Sequence, residues 1–162
     1  MGRIATGVVL ALIISPALAV ELPDSIITPG SINPAATKEI ICVRGYTSGV
    51  DKNGALVRNV PESVKKQAYR NYGLTGNRNG YCDVEGGCEV DHLISLQLGG
   101  SNDIKNLWPQ PYTGQWNARM KDGLENTLHS KVCKGEVTLH DAQRDISSNW
   151  IEAWKKYVNN KK

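Results

Sequence analysis

The residues best suited to chemistry lie between Cys88 and His129. Asp91 and His92 are adjacent within a strand-like run, Glu89-Val90-Asp91-His92-Leu93-Ile94-Ser95-Leu96. Such a pair sets an oxygen anion, which attracts hard cations, beside a ring that exchanges protons near neutral pH. Two carboxamides follow, Asn106 and Asn117, each able to accept through oxygen and donate through nitrogen. A carboxylate, an imidazole and two amides in one short stretch suit hydrolysis at a charged centre better than a covalent nucleophile. The chain has no Gly-x-Ser-x-Gly turn, and its cysteines are better read as bridged than as reactive.

These side chains need elements to hold them. Gly99-Gly100-Ser101-Asn102-Asp103 is turn-like, and Ile104-Lys105-Asn106-Leu107-Trp108 reads as a return strand stopped by Pro109, so the segment predicts a hairpin. After Pro111 a helix is expected over about 114–132, with Trp116, Met120, Leu124 and Leu128 in one row. At about 100° per residue, Asn117 and Lys121 fall near the Leu124 and Leu128 side while Arg119 points away. Asn117 thus faces whatever the helix packs on, which should be the hairpin. Asp91, His92 and Asn117 are expected to converge on one cleft.

The order Asp91-His92-Leu93-Ile94, Leu98-Gly99-Gly100, Asn106-Leu107-Trp108-Pro109 and then a helix bearing Asn117 resembles the HNH branch of the ββα-metal nucleases. More narrowly, it is similar to small exported HNH proteins whose hairpin ends in Asn-Leu-Trp-Pro. The resemblance covers residues 88–129 and extends less specifically to the cysteine-bearing flanks. It implies an α+β fold with a ββα-metal hairpin-helix core over about 88–132, flanking helices, and one nuclease domain over 39–162. It further implies phosphodiester hydrolysis in DNA or RNA with low sequence preference, DNA being the family's usual substrate. Asp91 and Asn117 would ligate one divalent cation, Mg²⁺ by the hardness of the ligands, and His92 would be the general base. Asn106 would orient His92 or pin the hairpin. Many HNH proteins carry histidine as the third motif residue, whereas this helix has none before His129, so Gln115 rivals Asn117 as second ligand.

Each residue also has a plainer reading. Asp91 could be a surface carboxylate at a strand end, His92 a half-buried polar residue, Asn106 a turn-capping amide, and Asn117 a helix N-terminal residue bonding free backbone groups. Lys121 shares the Asn117 face and is a candidate phosphate contact, against a solvated pairing with Glu125 one turn on. Lys105, with Lys65, Lys66 and Arg70, could add to a local basic surface. Glu89 shares a strand face with Asp91 and adds negative potential without being a ligand.

The rest of the chain sets the context. Of 162 residues, 40% are hydrophobic and 22% charged, which fits one globular core. The net charge of +3 is too small for a generally basic surface, so any anion-binding face must be local. Residues 1–19 read as a secretory signal: Arg3, an apolar run from Val8 to Ile14, and the small-x-small site Ala17-Leu18-Ala19. Periplasmic or secreted placement follows, with no membrane attachment after cleavage. Cys42, Cys82, Cys88 and Cys133 contain no Cys-x-x-Cys pair and suit disulfides. Of three connectivities, Cys82 with Cys88 is favoured because the five residues between can fold back, which leaves Cys42 to Cys133.

Residues 20–38 predict an extended lead-in punctuated by Pro23, Pro29 and Pro34. Residues 40–43 read as a short buried strand and 48–59 as an exposed loop. A helix is expected from Pro61 to Gly73, and an amphipathic one follows a Thr138/Asp141 cap, with Trp150 and Trp154 as core or boundary residues. The expected state is a monomer. Two other readings are kept: a nuclease toxin or effector with a cognate inhibitor protein, and a non-catalytic disulfide-stabilised binding module on the same scaffold.

Overall fold

A computed structural model describes residues 21–77 and 81–159, so the expected signal segment lies outside the described residues. The fold is α+β: one antiparallel hairpin, four helices and two disulfides. Strand β1 is Cys88–His92 and pairs with β2, Leu107–Pro111. The register sets Asp91 opposite Trp108 and His92 opposite Leu107. The helices are α1 (Lys38–Ile41), α2 (Glu62–Asn71), α3 (Ala118–Lys134) and α4 (Leu139–Trp154).

Pro109 does not stop β2, contrary to the expectation from sequence, and the reason is directional. The Tyr112 N–H donates to the Gly87 carbonyl on the β1 side at 3.1 Å. Alternate residues face alternate ways, so the nitrogens of Pro109 and Pro111 both face away from β1 and no ladder bond is lost. β1 is shorter than expected, ending at His92 instead of Leu96. The residues between the strands form a wide loop with two 3₁₀ turns, Leu96–Leu98 and Ile104–Asn106.

Helix α3 begins at Ala118, four residues later than the periodicity suggests, because Asn117 is its N-cap. Its last turn carries Lys131 and Lys134, favourable at a helix C-terminus, and Gly135 closes it at φ +77°. Thr138 and Asp141 cap α4 as expected: Asp141 N–H donates to Thr138 Oγ1 at 3.0 Å and the hydroxyl returns a bond to the carboxylate at 2.7 Å. Asn149 breaks α4 with φ −165° and ψ 98°, and its Oδ1 re-caps the helix by accepting from Ile151 and Glu152.

The core lies where α3 and α4 pack on each other and on the loop: Leu93, Leu98, Trp108, Leu124, Leu128, Ile146 and Trp150 are all buried. Trp154 is a half-buried boundary residue. A smaller cluster joins Tyr69 and Leu74 to the Cys82–Cys88 bridge beneath α2. Both disulfides follow the favoured pairing. Cys42–Cys133 spans 91 residues and ties α1 to α3, a constraint on the unfolded chain of about 4–5 kcal/mol in the chain-entropy picture.

Residues 40–43 are not a strand. The segment forms the single turn α1, with Cys42 N–H donating to the Lys38 carbonyl at 3.1 Å, because it lies against α3 through the disulfide and has no strand edge to join. The lead-in makes a turn at residues 25–27, where Thr28 N–H donates to Asp24 O at 2.7 Å, and beyond it runs along the inter-strand loop. Gly30 N–H donates to Lys105 O at 3.0 Å, Asn33 N–H to Gly99 O at 2.8 Å, and Ser101 N–H to Ser31 O at 2.9 Å. Among the described residues, no helix is long and apolar enough to cross a membrane.

Candidate functional site

β1 delivers Asp91 and His92 as its last two residues, and three separate devices fix them. The first is Lys121. Its side chain is 0% exposed, and its ammonium donates to Asp91 Oδ2 at 2.7 Å, to the His92 carbonyl at 2.6 Å and to Glu125 Oε1. All three donors of the ammonium are therefore used. Burial alone would pull this lysine down, but Asp91 and Glu125 reverse it and hold the group charged above its ordinary value. Burial pushes the Glu125 carboxyl up, with the Lys121 charge opposing.

The expectation of a phosphate contact at Lys121 is therefore corrected. A lysine enclosed by three acceptors has neither exposure nor a spare donor for a ligand. The plainer reading found the Glu125 partner but placed the pair in solvent, whereas it is internal and shared with Asp91. Lys121 lies toward Leu124 and Leu128 as the angular arithmetic indicates, and its chain is long enough to reach β1 from there.

The second device is Asn106, which is fully buried. Its Oδ1 accepts from Ile94 N–H at 2.9 Å and Ser31 N–H at 3.3 Å, while Nδ2 donates to Ile94 O and Ser101 O, both at 2.9 Å. It fastens both ends of the inter-strand loop and the lead-in. Of its two expected tasks it performs the pinning of the hairpin and not the orienting of His92. Gly100 makes this closeness possible: a Cβ there would lie 1.7 Å from the Ile94 carbonyl oxygen.

The third device, Asn102, is absent from the sequence expectations. The His92 ring nitrogen Nε2 lies 3.0 Å from Asn102 Oδ1, and Asn102 Nδ2 donates to the Val57 carbonyl at 2.9 Å. In Gly-Gly-Ser-Asn-Asp an asparagine looks like a turn former, and nothing local distinguishes it from Asn53 or Asn59. His92 is 5% exposed. Burial is the largest influence on its ring and lowers its pKa from 6.5; Arg58 and Lys121 act the same way, while Asp91 and Asn102 oppose. The imidazole is thus neutral at neutral pH.

His92 lines a cleft of about 440 Å³ with Arg58, Asn59, Glu62, Lys65, Tyr81 and Glu89. Arg58 and Lys65 bring positive charge to its wall, from the 49–60 segment and from α2. Arg58 also borders a second cleft with Asp122 and Glu125. Lys105 is exposed on the Ile104–Asn106 turn, and Lys66 and Arg70 are exposed on α2.

Asn117 is occupied locally. Its Nδ2 donates to Gly114 O at 2.9 Å and its Oδ1 accepts from Met120 N–H at 3.3 Å. This is the helix-capping role, and among the described residues no hydrogen bond joins Asn117 to Asp91 or His92. Gln115 is exposed just before α3. Asp91 fits a cation better: its side chain is 24% exposed, Oδ2 is held by Lys121, and Oδ1 makes no hydrogen bond among the described residues. Glu89 and Asp122 are both pushed up, by burial first and then by the Asp91 charge, so the three carboxylates repel one another in a way a cation would relieve. Tyr112 donates to Glu89 at 3.0 Å.

Among the described residues, the one trio of ligand atoms within 4.8 Å of one another is elsewhere, at Cys42, His129 and Cys133. Its two sulfurs are joined to each other, which removes the thiolates that bind metal. The chain finds no match among family models, curated proteins or solved structures.

Proposed function

We propose that the chain is an exported metal-dependent endonuclease of the HNH type, hydrolysing phosphodiester bonds of DNA with little sequence preference. The observation that carries this reading is the pairing at the end of β1: a neutral, buried histidine on a cleft whose wall sets Arg58 and Lys65 beside Glu62 and Glu89, next to a carboxylate with one oxygen clamped and one free. The hairpin, its Gly-Gly loop and α3 stand in the order of the ββα-metal centre, which supports that finer assignment.

In this reading His92 takes a proton from the attacking water, whose oxygen bonds to phosphorus as the bond to the leaving sugar oxygen breaks. Asp91 Oδ1 would hold the cation, since an exposed carboxylate oxygen is the donor a hard divalent ion takes. A bound Mg²⁺ supplies positive charge to the leaving oxygen. Arg58 and Lys65 take the place first given to Lys121 as phosphate contacts, and Lys105 remains an outlying one. Lys121 holds Asp91 in place through Oδ2, and Asn106 keeps the loop closed.

Plasmid nicking by the oxidised mature protein, with Mg²⁺ or with EDTA and beside His92→Ala, tests the reading. Cation-dependent cleavage that His92→Ala loses is the expected result. Folded protein that cuts neither DNA nor RNA with any of several divalent cations would overturn it.

A further inference from the structure

We infer that Asn102 is the positioning residue that selects the tautomer of His92, fixing Nε2 as the protonated nitrogen and leaving Nδ1 as the atom that accepts a proton. The inference rests on the nuclease reading for its consequence, but not for its geometry. The argument begins at Val57. A backbone carbonyl can only accept, so the Asn102 atom 2.9 Å from Val57 O must be the amide nitrogen. The other end of the amide, facing His92 Nε2 at 3.0 Å, is then the oxygen, which likewise accepts. Nε2 must supply the hydrogen. In a neutral imidazole the proton is then absent from Nδ1, which has no hydrogen-bond partner among the described residues.

The choice is imposed from outside the hairpin. Val57 is buried, and its own N–H donates to Gly49 O at 3.1 Å, so the carbonyl that sets the amide is held within the 49–60 segment. Arg58, the next residue, borders the His92 cleft. The relay Val57–Asn102–His92 thus ties the segment carrying a cationic side chain to the ring expected to do the chemistry. The charged groups around that ring are Glu89 and Asp91 on β1, Glu62 and Lys65 on α2, Lys121 on α3, and Arg58. None of them hydrogen-bonds either ring nitrogen, so the tautomer depends on Asn102.

Long-range proton–nitrogen correlation on uniformly ¹⁵N-labelled oxidised protein reads the tautomer directly. The chain has three histidines, and His92→Ala assigns the ring. Wild type is expected to show a protonated Nε2 and a bare Nδ1. Asn102→Ala should give a mixed or inverted pattern at His92, unchanged backbone dispersion, and a nicking rate lower by at least about tenfold. Asn102→Asp keeps an acceptor toward Nε2 and should restore the Nε2–H pattern. A wild-type ring protonated on Nδ1, or an Asn102→Ala spectrum identical to wild type, would overturn the inference. If the tautomer and its loss appear as expected while wild type cuts no nucleic acid, Asn102 keeps its positioning role and the nuclease reading fails.

Discussion

Lys121 Nζ lies 2.7 Å from Asp91 Oδ2, linking one turn into α3 with the penultimate residue of β1 by a bond from which solvent is excluded on the lysine side. Because the same ammonium holds the His92 carbonyl and Glu125, removing it does more than break one pair. Lys121→Met fits the volume but strands two carboxylates with one cation fewer. The expected loss is about 3–5 kcal/mol, measured by urea unfolding. Adding Glu125→Leu should recover part of that loss, since an apolar pair replaces an orphaned charge. Equal stability of Lys121→Met and wild type would show that the buried network does not hold the strand to the helix.

Asn117 offers a clean separation of capping from ligation. Serine caps a helix about as well as asparagine, whereas alanine costs about 1 kcal/mol. If capping is its whole task, Asn117→Ser retains both stability and Mg²⁺-dependent nicking, and Asn117→Ala loses only stability. Loss of Mg²⁺-dependent nicking in a stable Asn117→Ser protein would place Asn117 in the ligand set beside its capping role.

The loop between the strands should be the least forgiving part of the chain. Gly100→Ala must displace the Ile94 carbonyl or the Asn106 amide, which a Cβ would meet at 1.7 Å and 2.9 Å. Asn106→Ala leaves the Ile94 and Ser101 groups without their partners, at a cost of about 1–3 kcal/mol for each buried group left unmet. Both variants are expected to unfold at clearly lower denaturant than wild type, Gly100→Ala the more severely. Chemical denaturation monitored by tryptophan fluorescence checks the order, since Trp108 sits within the core beside this loop.

The His92 ring sets a pH dependence with a definite sign. Its pKa in the folded chain lies below 6.5, and the neutral form is the base. Nicking should rise with pH through a midpoint below 6.5 and then level off. Stability follows the same direction: the unfolded ring binds a proton first, so the folded state loses stability as pH falls below 6.5 until the folded ring also titrates. Glu89 and Asp122, pushed up by burial and by Asp91, act oppositely, and their folded forms gain a proton more readily on acidification. A nicking midpoint above 6.5 in wild type would show that Asp91 and the substrate outweigh burial at the His92 ring during cleavage.

Much of this arrangement is legible in the sequence because it is local. The α2 segment, the Thr138 cap, the buried Leu124 and Leu128 of α3 and the Cys82–Cys88 bridge follow from spacing and turn chemistry within short windows, and the Cys42–Cys133 bridge follows from that pairing by elimination. The failures share a cause. Residues 40–43 have a strand's composition but no strand to pair with, and Pro109 looks terminal until its nitrogen is seen to face away from β1. Lys121 and Asn102 are harder still, because a lysine on a helix and an asparagine in a turn acquire their roles from partners that are 30 and 45 residues distant. The angular placement of Lys121 on the inward side carried the signal, and a carboxylate at each of Asp91 and Glu125 was available to receive it.

The lead-in laid across the inter-strand loop imposes a schedule. Its bonds to that loop and to β2 join residues 66 to 79 apart in sequence, and pairings of that reach are slow to form. Residues 30–33 are synthesised early, yet their partners in the inter-strand loop, from Gly99 to Asn106, come much later in the chain. An unfinished chain carries Asp91 and His92 without the frame that aims them, so the loop around them is among the last parts of the fold to set.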